Sequence, residues 1–203
     1  MEKRGAVTTL LEQPLVYRMW QAPFAARKLA PLRAAGVLAT ARRVLDVGCG
    51  PGTNAPFFAQ ADYLGVDLNP RYIDDARRRF PGARFAVADV TSDAFAESHR
   101  FDFILVNSLL HHLDDAGTRH VLDRVARLLS PDGTVHILDL VLPARWSASR
   151  VMARLDRGEH PRPLEEWRRL FHASFREEAF EPYPLGMGLL TLWSMVYFRG
   201  TSR

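Results

Sequence analysis

The chain predicts an α/β fold built on a mainly parallel sheet, and three observations carry that expectation. Apolar strand-like runs alternate with segments of helical spacing. Phe101–Asn107 is an almost unbroken apolar run, as expected for a central strand covered on both faces. The run Val44–Val47 carries one carboxylate, Asp46, and passes straight into Gly48-Cys49-Gly50-Pro51-Gly52. Glycines at alternate positions allow left-handed backbone and the close approach that a ligand-binding turn requires.

Taken in order, residues 14–39 read as one or two helices broken near Pro31. Val44–Val47 is the first strand, and Thr53–Ala61 begins a helix with Pro56 in its first turn. Tyr63–Asp67 is the second strand. Asn69 reads as an N-cap and Pro70 as the first residue of a helix running to about Phe80. Ala83–Ala88 and Phe101–Asn107 are the third and fourth strands. Asp115–Leu129 places Val121, Leu122, Val125, Leu128 and Leu129 at helical spacing. Ser130-Pro131-Asp132-Gly133 is a turn before a fifth strand, Thr134–Leu140. Beyond it, Pro143 to about Ser174 reads as helix interrupted at His160-Pro161-Arg162-Pro163. Two late strands follow near Phe175–Tyr183 and Leu190–Phe198.

Bulk properties narrow the function. The 203 residues are 47% hydrophobic and 25% charged, which fits one domain of ordinary composition. No apolar run is long enough to span a membrane, and the N-terminus has no apolar core of the signal-peptide kind. The one cysteine, Cys49, excludes an intrachain disulfide and reads as a small residue in a crowded turn. A cytoplasmic location is the resulting expectation. Net charge is +4, but the arginines are scattered, whereas nucleic-acid binders gather basic residues on one face. The densest stretch, Arg145 to Arg169, mixes seven arginines with Asp156, Glu159, Glu165 and Glu166.

Ligands of open α/β sheets bind beyond the carboxyl ends of the strands. Asp46 and Gly48 lie at the end of the first strand, Asp67 at the second, Asp89 at the third and Asn107 at the fourth. A carboxylate at Asp67 can accept two ribose hydroxyls, and one at Asp89 an adenine amine with Val90 against the ring. The glycine spacing is G-x-G-x-G, unlike the G-x-G-x-x-G of dinucleotide sites. A carboxylate two residues ahead of it would repel a pyrophosphate but attract a cation.

VLDVGCGPGTN, YLGVDLNPRYIDDARRRF, FAVADV, FDFILVNSLLHHLDD and LLSPDGTVHILDL, spanning about residues 40–142, resemble in order the motifs of class I S-adenosylmethionine-dependent methyltransferases of the small-molecule type. The resemblance implies a doubly wound, Rossmann-like sheet of seven strands, mainly parallel with the last antiparallel. It implies one domain over 1–203, with an N-terminal helical cap (1–40), a cofactor core (41–142), and a helical lid and closing hairpin (143–203). S-adenosylmethionine would be the methyl donor and S-adenosylhomocysteine the product, with no metal. Asp46, Gly48 and Gly50 would hold the methionine end, Asp67 the ribose, Asp89 and Val90 the adenine, and Asn107 the floor near the methyl, with Leu68 also among the cofactor-binding residues. No Asn/Asp-Pro-Pro-Tyr/Phe sequence follows the fourth strand, which argues against methylation of a DNA exocyclic amine or a glutamine side chain.

Methyl transfer is largely positioning, and a base matters only if the acceptor must lose a proton. His111 and His112, just past the fourth strand, are the candidate bases, and His136 reads as structural. Tyr17 and Trp20, in an aromatic patch with Met19 and Phe24, are candidate acceptor contacts, as are His160 and Arg162 at the helix break. The expected acceptor is a small molecule. A nucleic-acid or protein methyltransferase and a non-catalytic cofactor-binding scaffold are the rival readings.

Overall fold

The structure is a computed structural model that describes residues 24, 26–92, 95, 100–155, 158–187 and 190–203. Residues 14–23, with Tyr17, Met19 and Trp20, lie outside the described residues. A seven-stranded sheet organises the rest, in the order β3-β2-β1-β4-β5-β7-β6. The strands are β1 (Arg43–Val47), β2 (Asp62–Asp67), β3 (Arg84–Val87), β4 (Phe101–Asn107), β5 (Leu129–Val141), β6 (Phe175–Met187) and β7 (Leu190–Ser202). β1 to β5 pair in parallel, and β7 runs antiparallel to both β5 and β6. The helices are α1 (Ala30–Ala34), α2 (Pro70–Arg79), α3 (Asp115–Leu128), α4 (Ala148–Leu155) and α5 (Leu164–Ser174).

Strand periodicity explains the two layers. Leu45 and Val47 of β1 join Ile104 and Val106 of β4 on one face, under Val121, Leu122 and Val125 of α3 and Trp167 and Phe171 of α5. Val44, Phe103 and Leu105 face the other side, against Ile73 and Ala76 of α2 and Leu29 and Leu32. Asp46 shares the face of Val44 and is therefore buried with that second cluster. A third, smaller cluster joins Phe24, Leu140, Ala153, Leu185, Trp193 and Met195. It draws the helical residues around Lys28, α4 and the hairpin together over the end of β5.

Several expectations shift. The helix expected over Thr53–Ala61 is a single 3-10 turn, Ala55–Phe58. Pro56 lacks an N–H, and the Asn54 side chain makes no cap because it donates to Asp46 instead. The break expected near Pro31 falls at Leu29, the N-cap, with Pro31 inside the first turn of α1. β5 begins at Leu129, not Thr134, because a register shift opposite Phe101/Phe103 absorbs the turn residues into the ladder. Both hairpin strands outrun the expected ends and meet around Gly186. Asn69 does cap α2, its side chain accepting from the Arg71 N–H at 3.0 Å.

The glycine turn depends on left-handed backbone at three positions. Gly48, Gly50 and Gly52 all have positive φ, at 70°, 53° and 75°. A Cβ on Gly52 would also lie 2.9 Å from Phe85 Cζ and 3.0 Å from Ala76 Cβ. Gly52→Ala is expected to lower the unfolding free energy by about 1–2 kcal/mol, the left-handed penalty alone. Urea denaturation measures it, and an unchanged midpoint would count against this account of the turn.

Candidate functional site

The strand ends expected to hold a ligand converge. The turn after β1 is pinned to β2, with the N–H groups of Gly48 and Cys49 both donating to the Val66 carbonyl at 2.9 and 3.0 Å. Beyond Val66, the Asp67 carboxylate accepts from the Gly50 N–H at 2.9 Å through one oxygen and from the Asn69 N–H at 2.8 Å through the other. Each oxygen keeps a further lone pair for a ligand hydroxyl. Burial pushes the Asp67 carboxyl up, while the amides of Asn69, Gly50 and Leu68 pull it down. Leu68 beside it is 67% exposed, an open apolar face at the strand end.

Asp46 is fully buried. One oxygen accepts from the Tyr63 hydroxyl at 2.6 Å and from Asn54 Nδ2 at 3.1 Å. Its Oδ1 has no hydrogen-bond partner among the described residues. Burial pushes its carboxyl up to about 7, against the pull of Tyr63 and Asn54, and the charge of Asp67 adds to the rise. Buried polar atoms are rarely left unsatisfied in native structures, so this oxygen points to a ligand donor or cation. Asn107, at the end of β4, joins the same network by donating to Asn54 Oδ1 at 3.3 Å. The glycine cradle, the clamped Asp67 and the open oxygen of Asp46 fit the ammonium, sulfonium and ribose of S-adenosylmethionine.

Other expected residues are placed differently. Asp89 lies two residues beyond β3 and is exposed; its Oδ1 turns back to the N–H and Oγ1 of Thr91 at 2.9 and 2.6 Å. Those two bonds hold its carboxyl below the usual range. Val90 is buried in the core cluster with Val66 and Val106, so Leu68 offers the open apolar surface there. Cys49 is buried, and burial pushes its thiol up, as a packing role requires. His136 is buried in the sheet, between Thr134 and Tyr197, and burial with Arg199 nearby lowers it to about 3.

His111 is buried and its Nδ1 lies 2.6 Å from Asp139 Oδ1. Asp139, at the end of β5, escaped sequence reasoning because it sits in an otherwise apolar run. It also accepts from the N–H groups of Leu110 and Leu140 at 2.8 and 2.7 Å. Gly158 packs on the His111 ring, where a Cβ would come 2.0 Å from Cδ2, and the His160 N–H donates to the His111 carbonyl at 2.9 Å. His112 is exposed and tilted against His111, with ring centroids 4.2 Å apart. Arg162 is buried and works as a staple. It donates to Asp115 at 2.9 Å and to the carbonyls of Leu113, His160 and Leu110 at 2.8, 3.1 and 3.3 Å. His160 is half-buried in the same segment, and a cleft of about 480 Å³ opens between α1 and the hairpin, beside Tyr183 and Leu185.

Two outcomes follow for the cofactor. A ligand cation beside Asp46 favours its charged form, so binding must expel the proton that the free protein holds below about pH 7. Affinity for S-adenosylmethionine is therefore expected to rise with pH up to about 7 and level off above, and Asp46→Asn to abolish that slope; calorimetry across pH checks it. Asp67→Ala removes a charge-assisted acceptor and frees the Gly50 amide, and is expected to weaken cofactor binding at least about tenfold, about 1.4 kcal/mol. An unaltered dissociation constant would leave Asp67 as a turn residue only.

Comparison with known proteins agrees with this geometry. Residues 44–133 match the family described as Methyltransferase domain. The chain is 36% identical over 115 residues to a trans-aconitate 2-methyltransferase of Methylobacterium nodulans, covering 55% of this chain and 43% of that protein. It thus spans less than half the length of that relative. Against an uncharacterized methyltransferase of Mycobacterium bovis it is 32% identical over 136 residues, covering 60% of this chain and 68% of the relative. In fold it resembles the N-methyltransferase NodS of Bradyrhizobium japonicum WM9, solved with S-adenosyl-L-homocysteine, at a TM-score of 0.67 and 20% identity over 87% of this chain and 86% of the other. The family match over residues 44–133 spans β1 to β4, and with a methyltransferase relative covered to 68% the chain belongs to the class I S-adenosylmethionine-dependent methyltransferases.

Proposed function

We propose that the chain transfers a methyl group from S-adenosylmethionine to a small-molecule acceptor. The open, buried oxygen of Asp46 next to the clamped Asp67 carries this reading, because together they ask for a cationic ligand that also bears a ribose. Asp46, Gly48 and Gly50 take the methionine end, Asp67 the ribose, Leu68 and Asp89 the adenine side. Bound there, the cofactor supplies an electrophilic methyl carbon on sulfur. The remaining work is to orient an acceptor at the ends of β4 and β5 and to accept any proton it loses.

His111 is our candidate for that second task. Asp139, held by two backbone amides, draws the Nδ1 proton of His111, which makes Nε2 the basic nitrogen. The ring lies three residues past Ser108 at the end of β4. His112, exposed on its flank, packs the pair.

The basic pI of about 9.6 favours a nucleic acid as the alternative acceptor. Several arginines are instead spent internally. Arg124 donates to the carbonyls of Val90, Ser92 and Phe95, Arg77 to Phe85, and Arg162 to the loop after β4. That distribution supports a small acceptor.

The test measures S-adenosylhomocysteine release over a panel of small hydroxyl, amine and thiol acceptors and over duplex DNA. Turnover confined to a nucleic acid, or none with any acceptor, would sink the proposal. His111→Asn can keep a donor toward Asp139 while losing the basic nitrogen. With a hydroxyl acceptor it is expected to lower the rate about 100-fold, with cofactor affinity nearly intact. His111→Ala is expected to destabilise the fold as well, since it leaves Asp139 buried with one partner fewer.

A further inference from the structure

Among the described residues, the large apolar side chains left exposed are Leu68, Val87, Trp146, Val151 and Leu155. Val87 ends β3 and Leu68 follows β2, so both belong to the edge that holds the cofactor. The other three fall within one short stretch, in and just before α4. Trp146 is 85% exposed and Leu155 73%. Spacings of three and four put Ala148, Val151 and Leu155 on one face of α4, and all three are exposed. The other face is packed. Ala153 joins the cluster of Leu140, Trp193 and Met195, and the Ser194 hydroxyl donates to Ser149 Oγ at 3.4 Å. The turn that presents Trp146 is fastened to the helix. The Ser147 hydroxyl accepts from the Arg150 N–H at 3.2 Å, as an N-cap does, and the Arg150 guanidinium donates back to the Pro143 carbonyl.

The charges beside this face have one sign. The outward residues of α2 and α5 mix both signs, as with Arg71 and Asp74 on one and Glu165 and Arg168 on the other. Pro143 to Leu155 carries Arg145, Arg150 and Arg154 and no carboxylate; the first, Asp156, comes after the helix. Arg145 and Arg154 are exposed next to Trp146 and Leu155. An apolar face larger than scattered single residues marks an interaction surface. A second copy of this chain fits it poorly, because a two-fold contact sets the same arginines against each other. A nucleic acid meets the arginines but leaves Val151 and Leu155 in water. An anionic bilayer takes both: its headgroups meet the guanidinium groups, Trp146 enters the headgroup level, and the aliphatic side chains reach the acyl boundary. With 8 residues, α4 is too short to cross a bilayer and lies along its surface. We propose that α4 and the turn before it dock the protein on anionic lipid membranes. Gly158, three residues past α4, packs against the His111 ring, so the docked face adjoins the candidate acceptor side.

The experiment is co-sedimentation of the full chain with vesicles of phosphatidylcholine alone and of equal parts phosphatidylcholine and phosphatidylglycerol, at low and high salt. Binding to the anionic vesicles is expected to be at least about tenfold tighter than to the neutral ones and to weaken as salt rises. Trp146→Ser combined with Leu155→Ser should weaken it about tenfold or more. Arg145→Gln combined with Arg154→Gln should remove most of the preference for anionic lipid. All four side chains are exposed, so circular dichroism should match wild type, and the arginine pair decides if the serine pair does not fold. No binding of the wild type to anionic vesicles, binding indifferent to lipid charge, or binding that survives both pairs of substitutions overturns the proposal. So does a wild-type dimer in solution that the serine substitutions dissolve, or duplex DNA held more tightly than the anionic vesicles through the same arginines. None of these outcomes depends on the cofactor or the acceptor, so the methyltransferase reading stands or falls separately.

Discussion

The burial of Asp46 is the constraint on which the rest of the site depends. A carboxylate removed from water is unfavourable unless it is hydrogen-bonded, and this one is satisfied on a single oxygen. Tyr63 must therefore reach across from β2, and Asn54 must turn inward rather than cap the next turn. Asn54 in turn offers its carbonyl to Asn107, so the end of β4 is oriented by a residue from the other side of β1. Parallel pairing of β1 with both β2 and β4 brings these three strands into one plane at their carboxyl ends. The protein in effect maintains a poorly neutralised carboxylate, raised to about 7, at the position where a cationic ligand lowers its cost.

A second framework holds the segments outside the cofactor core. Asp139 and Arg162 are both buried, and neither has another element's side chain as its main partner class: each satisfies mostly backbone. Asp139 gathers two amides and His111, fixing the loop after β4 to the end of β5. Arg162 gathers two carbonyls of the loop after β4, that of His160 in its own segment, and Asp115 at the start of α3. Its own carbonyl accepts from the Leu142 N–H at 2.9 Å, which extends the sheet edge by one bridge. One residue of each sign thus ties the chain after β5 down over His111. The chain after β5 is held by this stitching together with the small apolar cluster around Trp193 and Leu140.

Much of the sheet was legible in the sequence because its signals are local. β1, β2 and β4 carry largely apolar runs, and Asn69 caps α2 by accepting from a backbone N–H. The positions of Asp67, Gly48 and Gly50 at the strand ends were equally legible, since each closes or closely follows an apolar run. What stayed hidden depends on distant partners. Nothing near Arg162 in the sequence says that the carbonyls of Leu110 and Leu113 come within reach of its guanidinium, so a guanidinium beside a helix break reads as a ligand contact. Asp139 stands within an apolar strand and shows its purpose only when His111, 28 residues earlier, is brought against it. The helix expected after Gly52 fails for the same reason: its natural cap, Asn54, is claimed by tertiary structure.

The arginine-rich composition follows from this architecture as well. Lysine offers three donors on a flexible stem, whereas arginine presents five in a planar fork that can bridge several carbonyls at once. Arg124, 3% exposed, spans Val90, Ser92 and Phe95 and so holds the chain that follows β3 against α3. Arg79 donates to the Pro51 carbonyl at 3.1 Å and braces the glycine turn from α2. Loops at the carboxyl edge of an open sheet must carry the ligand site, yet they lack ladder partners for their carbonyls. Buried guanidinium groups supply those partners without adding a strand. Lys28, also buried, works in the same way: its Nζ donates to Ser108 Oγ at 2.9 Å and ties the N-terminal helical segment to the end of β4.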